Sequence, residues 1–412
     1  MKTKFILFLI LGIDAAILFY EANFLSISPS EALIVYGDSS FLQFITLIFI
    51  RIFPIADIGL RFFMIILHLM SALLLFFISK DYIKQDRNRL WLVVLFLLLP
   101  GTISSALIVS HASIIIFGLF LYIYLQKRDE LLSHFLALVY LFIEAGFSYM
   151  FLGLGLYYFY NKQWKELLFY ITLYILSLYM YGFVAHGIPS GHFLDLLGVY
   201  SAIFSPILFI YLVYTLYREF LSKNLTKIWF IASTAFLISV VLSFRQRINL
   251  EYFAPYLMVL LPLAVQLFIS SYRVRLKQHR KKYKLAFIFT AVFLFVNAFV
   301  VFFHKELYLF LTNPKRNFSY NVDIAKPLAI ELKRRNIFCV QVKKNKDMQR
   351  QLHFYGIQKC NDNLLEETSL DSKKANVTIS YKNKTLYKAN VTKLNKSEMK
   401  FKMKEKAFSD IK

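Results

Sequence analysis

Cysteine is almost absent: the 412 residues hold two, Cys339 and Cys360. That excludes a disulfide-rich scaffold and a Cys-based zinc centre, and leaves one disulfide or two buried thiols as alternatives. No P-loop, dinucleotide fingerprint, Gly-x-Ser-x-Gly or Cys-x-x-Cys occurs, and no His spacing singles out a metal, so no metal is assigned. Acidic residues are also scarce, 25 Asp and Glu against 48 Lys and Arg, for a net charge of +23. Such an excess in a soluble protein points to nucleic acid. Here its distribution, half in membrane-side loops and half in a solvated tail, excludes that partner.

What is abundant is apolar surface. The chain is 58% hydrophobic, with 44 Phe and 27 Tyr. Runs of membrane-spanning length recur to about residue 303, which predicts eleven spans: 5–20, 58–79, 90–109, 111–126, 133–146, 147–160, 167–184, 201–217, 228–243, 254–271 and 285–303. Several are shorter than ~20 residues, so some are expected as hairpins that do not fully cross. The first span lacks a cleavage site and is read as a retained helix rather than a signal peptide. Residues 41–53 are expected at the membrane interface.

The charged loops alternate. With the N-terminus in the cytoplasm, twenty Lys and Arg lie inside, seven of them between Arg273 and Lys284. Only four, Arg51, Arg61, Arg245 and Arg247, then lie outside. The positive-inside rule selects this orientation and places the tail beyond residue 304 outside. Residues 1–303 thus form a polytopic domain with a first outer loop at 21–57, and 304–412 a small outer α/β domain with a Lys-rich end. In that domain 323–335 has helical periodicity, while 337–342, 351–357 and 377–381 look like strands.

Groups able to do chemistry collect on the outer side. The first loop, EANFLSISPSEALIVYGDSS, carries Glu21, Glu31 and Asp38 with no cation. Ser28-Pro29-Ser30 reads as a helix start that puts Glu31 in the first turn, where a solvated Glu is also at home. Arg61, Arg245 and Arg247 form a possible anion clamp, since guanidinium matches phosphate geometry. The competing reading is snorkelling for Arg61 and an interfacial ion pair with Glu251 for the other two. His111, Glu144, His186, His192 and Asp195 share this face, and Glu144 between apolar residues is a functional candidate by depth.

These features together resemble the GT-C membrane glycosyltransferases, in the branch of the dolichyl-phosphate-mannose–protein mannosyltransferases and aminoarabinose transferases. The resemblance runs over a first span, a carboxylate-bearing loop, Gly59-Leu60-Arg61 opening the next span, Pro100-Gly101, RINLEYFAPYLMVLLP (247–262) and LHFYGI (352–357). It implies an inverting transfer of sugar from a polyprenyl-phosphate donor to an acceptor at the outer face of the cell (inner) membrane. The co-substrate is the lipid-linked sugar and no separate cofactor is implied. By position Glu31 is the base, with Glu21 second, and the arginines hold the donor phosphate. Ser30 replaces the first acid of the family's acidic pair, and His111 stands where many members have Asp. A glycan polymerase or ligase of another family, and a transporter or flippase of lipid-linked substrates, are the alternatives. A transporter should show ionisable groups at mid-membrane, and the charges instead collect at one face.

Overall fold

The computed structural model describes residues 2–37, 40–53, 55–182, 191–223, 225–343, 345–369 and 375–393. The fold is that of a polytopic helical membrane protein with a small C-terminal α/β domain. The chain divides into two units. One comprises Met1–Tyr20 and Arg61–Val301, the other Glu21–Leu60 and Phe302–Lys412. The loop at 21–57 therefore groups with the C-terminal domain, whereas the sequence joins it to the spans.

The described residues of the eleven expected spans fall largely on helix, but eleven full crossings are not found among them. Four helices are long and apolar enough to cross alone: Lys2–Phe24, Ala56–Asp81, Ala254–Val274 and Lys277–Phe302. Bent pairs raise the number to at most seven among the described residues, and His111–Gln126, Glu130–Ile143 and Lys227–Ser243 are shorter apolar helices. Two expected single spans are broken. Residues 90–109 bend by 60° at Pro100, and the helix Phe193–Phe204 turns by 105° into Pro206–Leu221. Proline at a first helical position supplies no N–H to a preceding turn, and Ser205 at φ +67° ends the helix before it. Close packing is possible where Gly153 brings its helix against Ile231, since a Cβ there would lie 2.8 Å from the Ile231 Cα.

Several buried tyrosine hydroxyls inside this unit are paired, although the Ser110, Ser177 and Ser205 hydroxyls find no partner among the described residues. The Tyr122 and Tyr170 hydroxyls are 2.7 Å apart, and Tyr200 meets Ser239 at 2.9 Å. One pair was not anticipated. Asp14, midway along Lys2–Phe24, lies 3.2 Å from His68, midway along Ala56–Ile78. The expectation that charges collect at one face is corrected by this pair.

In the second unit, the loop forms two helices, α1 (Pro29–Tyr36) and α2 (Phe41–Ile52). The C-terminal domain supplies α3 (Ala325–Arg334), α4 (Lys346–Phe354) and strands β1 (Gln341–Val342), β2 (Asn363–Glu367), β3 (Val377–Tyr381) and β4 (Lys384–Lys393). The sheet order is β1-β2-β4-β3, with β1 parallel to β2 and the other pairs antiparallel. Leu328 and Leu332 from α3, Leu352 from α4, and Leu365, Val377, Ile379 and Tyr387 from the strands make its core.

Helix α3 and strand β3 match expectation. The segment 351–357, read as a strand, is instead mostly the end of α4. Asn345 caps that helix by accepting from the Met348 N–H, and Met348, Leu352 and Tyr355 then face the core at helical spacing. Of 337–342 only Gln341–Val342 is strand, with Cys339 bridging to Gln358. Cys339 and Cys360 are disulfide-bonded, their Cα atoms 5.5 Å apart, which decides between the two alternatives.

Candidate functional site

In the helical unit the sequence candidates His111, Glu144 and Glu251 come together from three separate segments. His111 begins the helix His111–Gln126, and its Nδ1 lies 2.6 Å from a Glu144 carboxylate oxygen. The imidazole stacks on Tyr252, ring centres 5.3 Å apart. The Glu251 carboxylate accepts from the His111 backbone N–H, so it occupies the helix N-terminus that Ser110 leaves uncapped. Burial pushes the Glu251 carboxyl up, with Glu144 adding to the rise and His111 opposing it.

The run 247–262 builds this cluster. Beyond Glu251 and Tyr252 it carries Tyr256, whose buried hydroxyl donates to the Gly146 carbonyl at 2.6 Å and accepts from the Met150 N–H at 3.1 Å. Those two bonds pin the turn that follows Glu144, and Glu144 itself accepts from the Ala145 N–H at 3.0 Å. An imidazole bonded to one carboxylate and stacked on a tyrosine, with a second carboxylate on its own backbone N–H, offers acceptors and one exchangeable proton to a polar ligand.

The arginines do not share one environment. Arg61 is completely buried within Ala56–Ile78, which corrects the snorkelling alternative. Arg245 and Arg247 are exposed, and neither makes an ion pair among the described residues, which corrects the competing reading of an ion pair with Glu251. His192 stands at the start of Phe193–Phe204, where its Nδ1 lies 3.2 Å from Asp195. Asp38 and His186 lie outside the described residues.

In the second unit Glu31 is wholly buried. It forms a reciprocal capping box: the Glu31 N–H donates to the Ser28 Oγ at 3.1 Å, and the Ser28 N–H donates to the Glu31 carboxylate at 2.7 Å. Pro29 at the first helical position completes the predicted start. The carboxylate is thus fixed, and its cap role is a structural one that the sequence pattern Ser-x-x-Glu already signalled. Glu21 is half-buried, with His304, Lys305 and Asp323 as its charged neighbours. Asp323, unremarked in the sequence, accepts from the Ser319 hydroxyl at 2.7 Å and the Tyr308 hydroxyl at 2.8 Å, with His304 Nε2 at 3.1 Å.

Asp57 was also missed, because an acid in a helix's first turn reads as solvated. It is buried, 2.7 Å from the Lys326 ammonium, and accepts from the Tyr355 hydroxyl at 2.7 Å. Tyr355 belongs to the LHFYGI run.

The sequence matches no family model and no curated protein. Among solved structures it is similar to ArnT from Cupriavidus metallidurans in the apo state: TM-score 0.59, 11% identity, 95% of this chain and 98% of that chain. The same protein bound to undecaprenyl phosphate gives TM-score 0.54, again at 11% identity, over 95% of this chain and 99% of that one. The chain has the GT-C fold. The expected fold class, a polytopic helical protein with a small sheet region at the C-terminus, is therefore borne out.

Proposed function

We propose that the chain is a multi-pass inner-membrane glycosyltransferase. It takes a sugar from a polyprenyl-phosphate donor and passes it, with inversion, to an acceptor hydroxyl on the outer face. The observation that carries this reading is the end-to-end GT-C likeness to a protein solved with undecaprenyl phosphate bound. The basic-loop asymmetry supports a cytoplasmic N-terminus, and the bond between Cys339 and Cys360 supports an oxidising location for the C-terminal domain.

In this reading Glu31 removes the acceptor proton while the acceptor oxygen attacks the anomeric carbon. The bond from that carbon to the phosphate oxygen breaks on the opposite face, and the lipid phosphate leaves with the electron pair. Glu21 is the second choice of base. Arg61, Arg245 and Arg247 offset the charge of the phosphate as it departs. The His111–Glu144–Glu251 cluster binds sugar or acceptor hydroxyls. Sugar and acceptor are read out by mass spectrometry of lipid-linked intermediates and glycans in a deletion strain. Unchanged profiles there refute the proposal.

The pair of half-buried Asp14 and buried His68 favours a second reading, a flippase or transporter, because ionisable groups at mid-helix line such pathways. Translocation of a lipid-linked sugar analogue in proteoliposomes, without transfer, selects it.

A further inference from the structure

We infer that Lys326, Tyr355 and Gln351 are positioning residues: they clasp the first loop from both ends and thereby set the helix that carries Glu31. The inference rests on the transfer reading for its catalytic consequence and on geometry alone for the clasp itself.

Every contact lies within the second unit. At the start of the loop the Ser26 N–H donates to the Val322 carbonyl at 2.8 Å, and the Lys326 N–H donates to the Ser26 hydroxyl at 3.1 Å. One residue on, Ile27 is held at both its backbone groups. Its N–H donates to the Tyr355 hydroxyl at 2.8 Å, and its carbonyl accepts from the Gln351 amide at 2.6 Å. At the end of the loop Asp57 takes the other bond of that hydroxyl and the ammonium of Lys326, which also reaches the Asn23 carbonyl at 2.6 Å. The Tyr355 hydroxyl therefore joins residues thirty apart in sequence, Ile27 just before the Ser28 cap and Asp57 at the close of the loop.

The clasp fixes what the local sequence does not. Helix α1 has eight residues, too few to be stable alone, and its direction depends on how the chain enters Ser28. Ile27 is that entry. It is buried, as are Ser26, Asp57 and Gln351, so bonds lost here are not replaced by water. A carboxylate that must meet a hydroxyl within hydrogen-bond reach loses efficiency when its carrier shifts by about 1 Å, by up to about 10²-fold.

The test uses the full chain in lipid nanodiscs, with Tyr355→Phe, which keeps the ring, and Asp57→Asn, which keeps the shape. Hydrogen exchange is followed at residues 26–36, with α3 and the sheet as internal references. Transfer is measured against donor concentration. Both variants are expected to speed exchange at 26–36 and leave the references unchanged. They lower kcat by about 10-fold to 10²-fold while the donor KM stays within about twofold, and the double variant is no worse than the poorer single one. Unchanged exchange in both variants overturns the clasp. Faster exchange with a wild-type kcat, or a loss confined to KM, overturns its positioning role. A wild-type protein inert toward every lipid-linked donor, yet showing the exchange response, sinks the transfer reading and upholds the clasp.

Discussion

Glu31 has a cap role in the structure and a base role in the proposed transfer, and one substitution separates the two. As the third residue of a capping box it accepts from the Ser28 N–H, and a glutamine at that place keeps an acceptor oxygen at the same reach. As a base it needs a free electron pair of proton-accepting strength, which an amide lacks. Glu31→Gln should therefore leave helix α1 in place, with local stability changed by a few tenths of a kcal/mol. It should cost transfer about 10²–10⁴-fold, or about 3–5 kcal/mol of barrier. Glu31→Ala adds the loss of the cap, about 1 kcal/mol. Ser28→Ala loses a similar amount of stability and retains the base. Hydrogen exchange across 28–36 reads the cap, and turnover of a polyprenyl-phosphate sugar in proteoliposomes reads the chemistry. The reasoning fails if Glu31→Gln turns over like wild type, or if Ser28→Ala abolishes turnover as completely as Glu31→Gln. Loss on Glu21→Gln instead moves the base to the start of the loop.

Alkaline phosphatase fused after Asn313 should be active and fused after Lys284 inactive, because the seven cations from Arg273 to Lys284 stay inside; the reverse pattern refutes both topology and mechanism. Protein isolated without reductant should show no alkylated cysteine, and Cys339→Ser should destabilise the C-terminal domain by about 3 kcal/mol in denaturant titration, since the bond spans 21 residues. Glu251 gives a pH signature. Its folded-state carboxyl is raised above the ordinary 4.5, so folding favours the protonated form. That contribution is present in full below 4.5 and is lost as pH rises through the raised folded value. Thermal denaturation of wild type should therefore lose ground to Glu251→Gln across that window, and parallel curves refute the assignment.

Eleven full crossings were too many: four helices, or at most seven with the bent pairs, are long and apolar enough among the described residues. The apolar runs were legible because they declare themselves regardless of neighbours, and their described residues lie largely on helix. Their bends were less so: Pro100 and Pro206 were visible, yet whether a proline kinks a span or starts a new helix depends on packing. The strands β2 and β4 escaped notice because Lys, Asn and Glu dilute their alternation, as in KTLYKANVTK. Individual site candidates were legible as polar residues in apolar surroundings. Their partners were not, since His111, Glu144 and Glu251 meet only through the tertiary fold. Asp14 shows the same limit, for its place at mid-helix gains meaning only from His68 on another helix.

The pairing of the loop with the C-terminal domain follows from the weakness of each local signal. Two helices of eight and twelve residues cannot hold a fixed geometry by backbone bonding alone. The chain instead brings a folded domain, closed by a disulfide and a core of its own, to the segment that needs fixing. Its contacts fall on backbone groups of Asn23, Ser26 and Ile27, so they constrain the path of the loop whatever its side chains. Two side chains are held as well: the Ser26 hydroxyl by the Lys326 backbone N–H and, unlike it, Asp57 by two other side chains. That asymmetry makes Asp57 the position where a conservative change distinguishes a domain that fixes the loop from one that merely lies in the same unit.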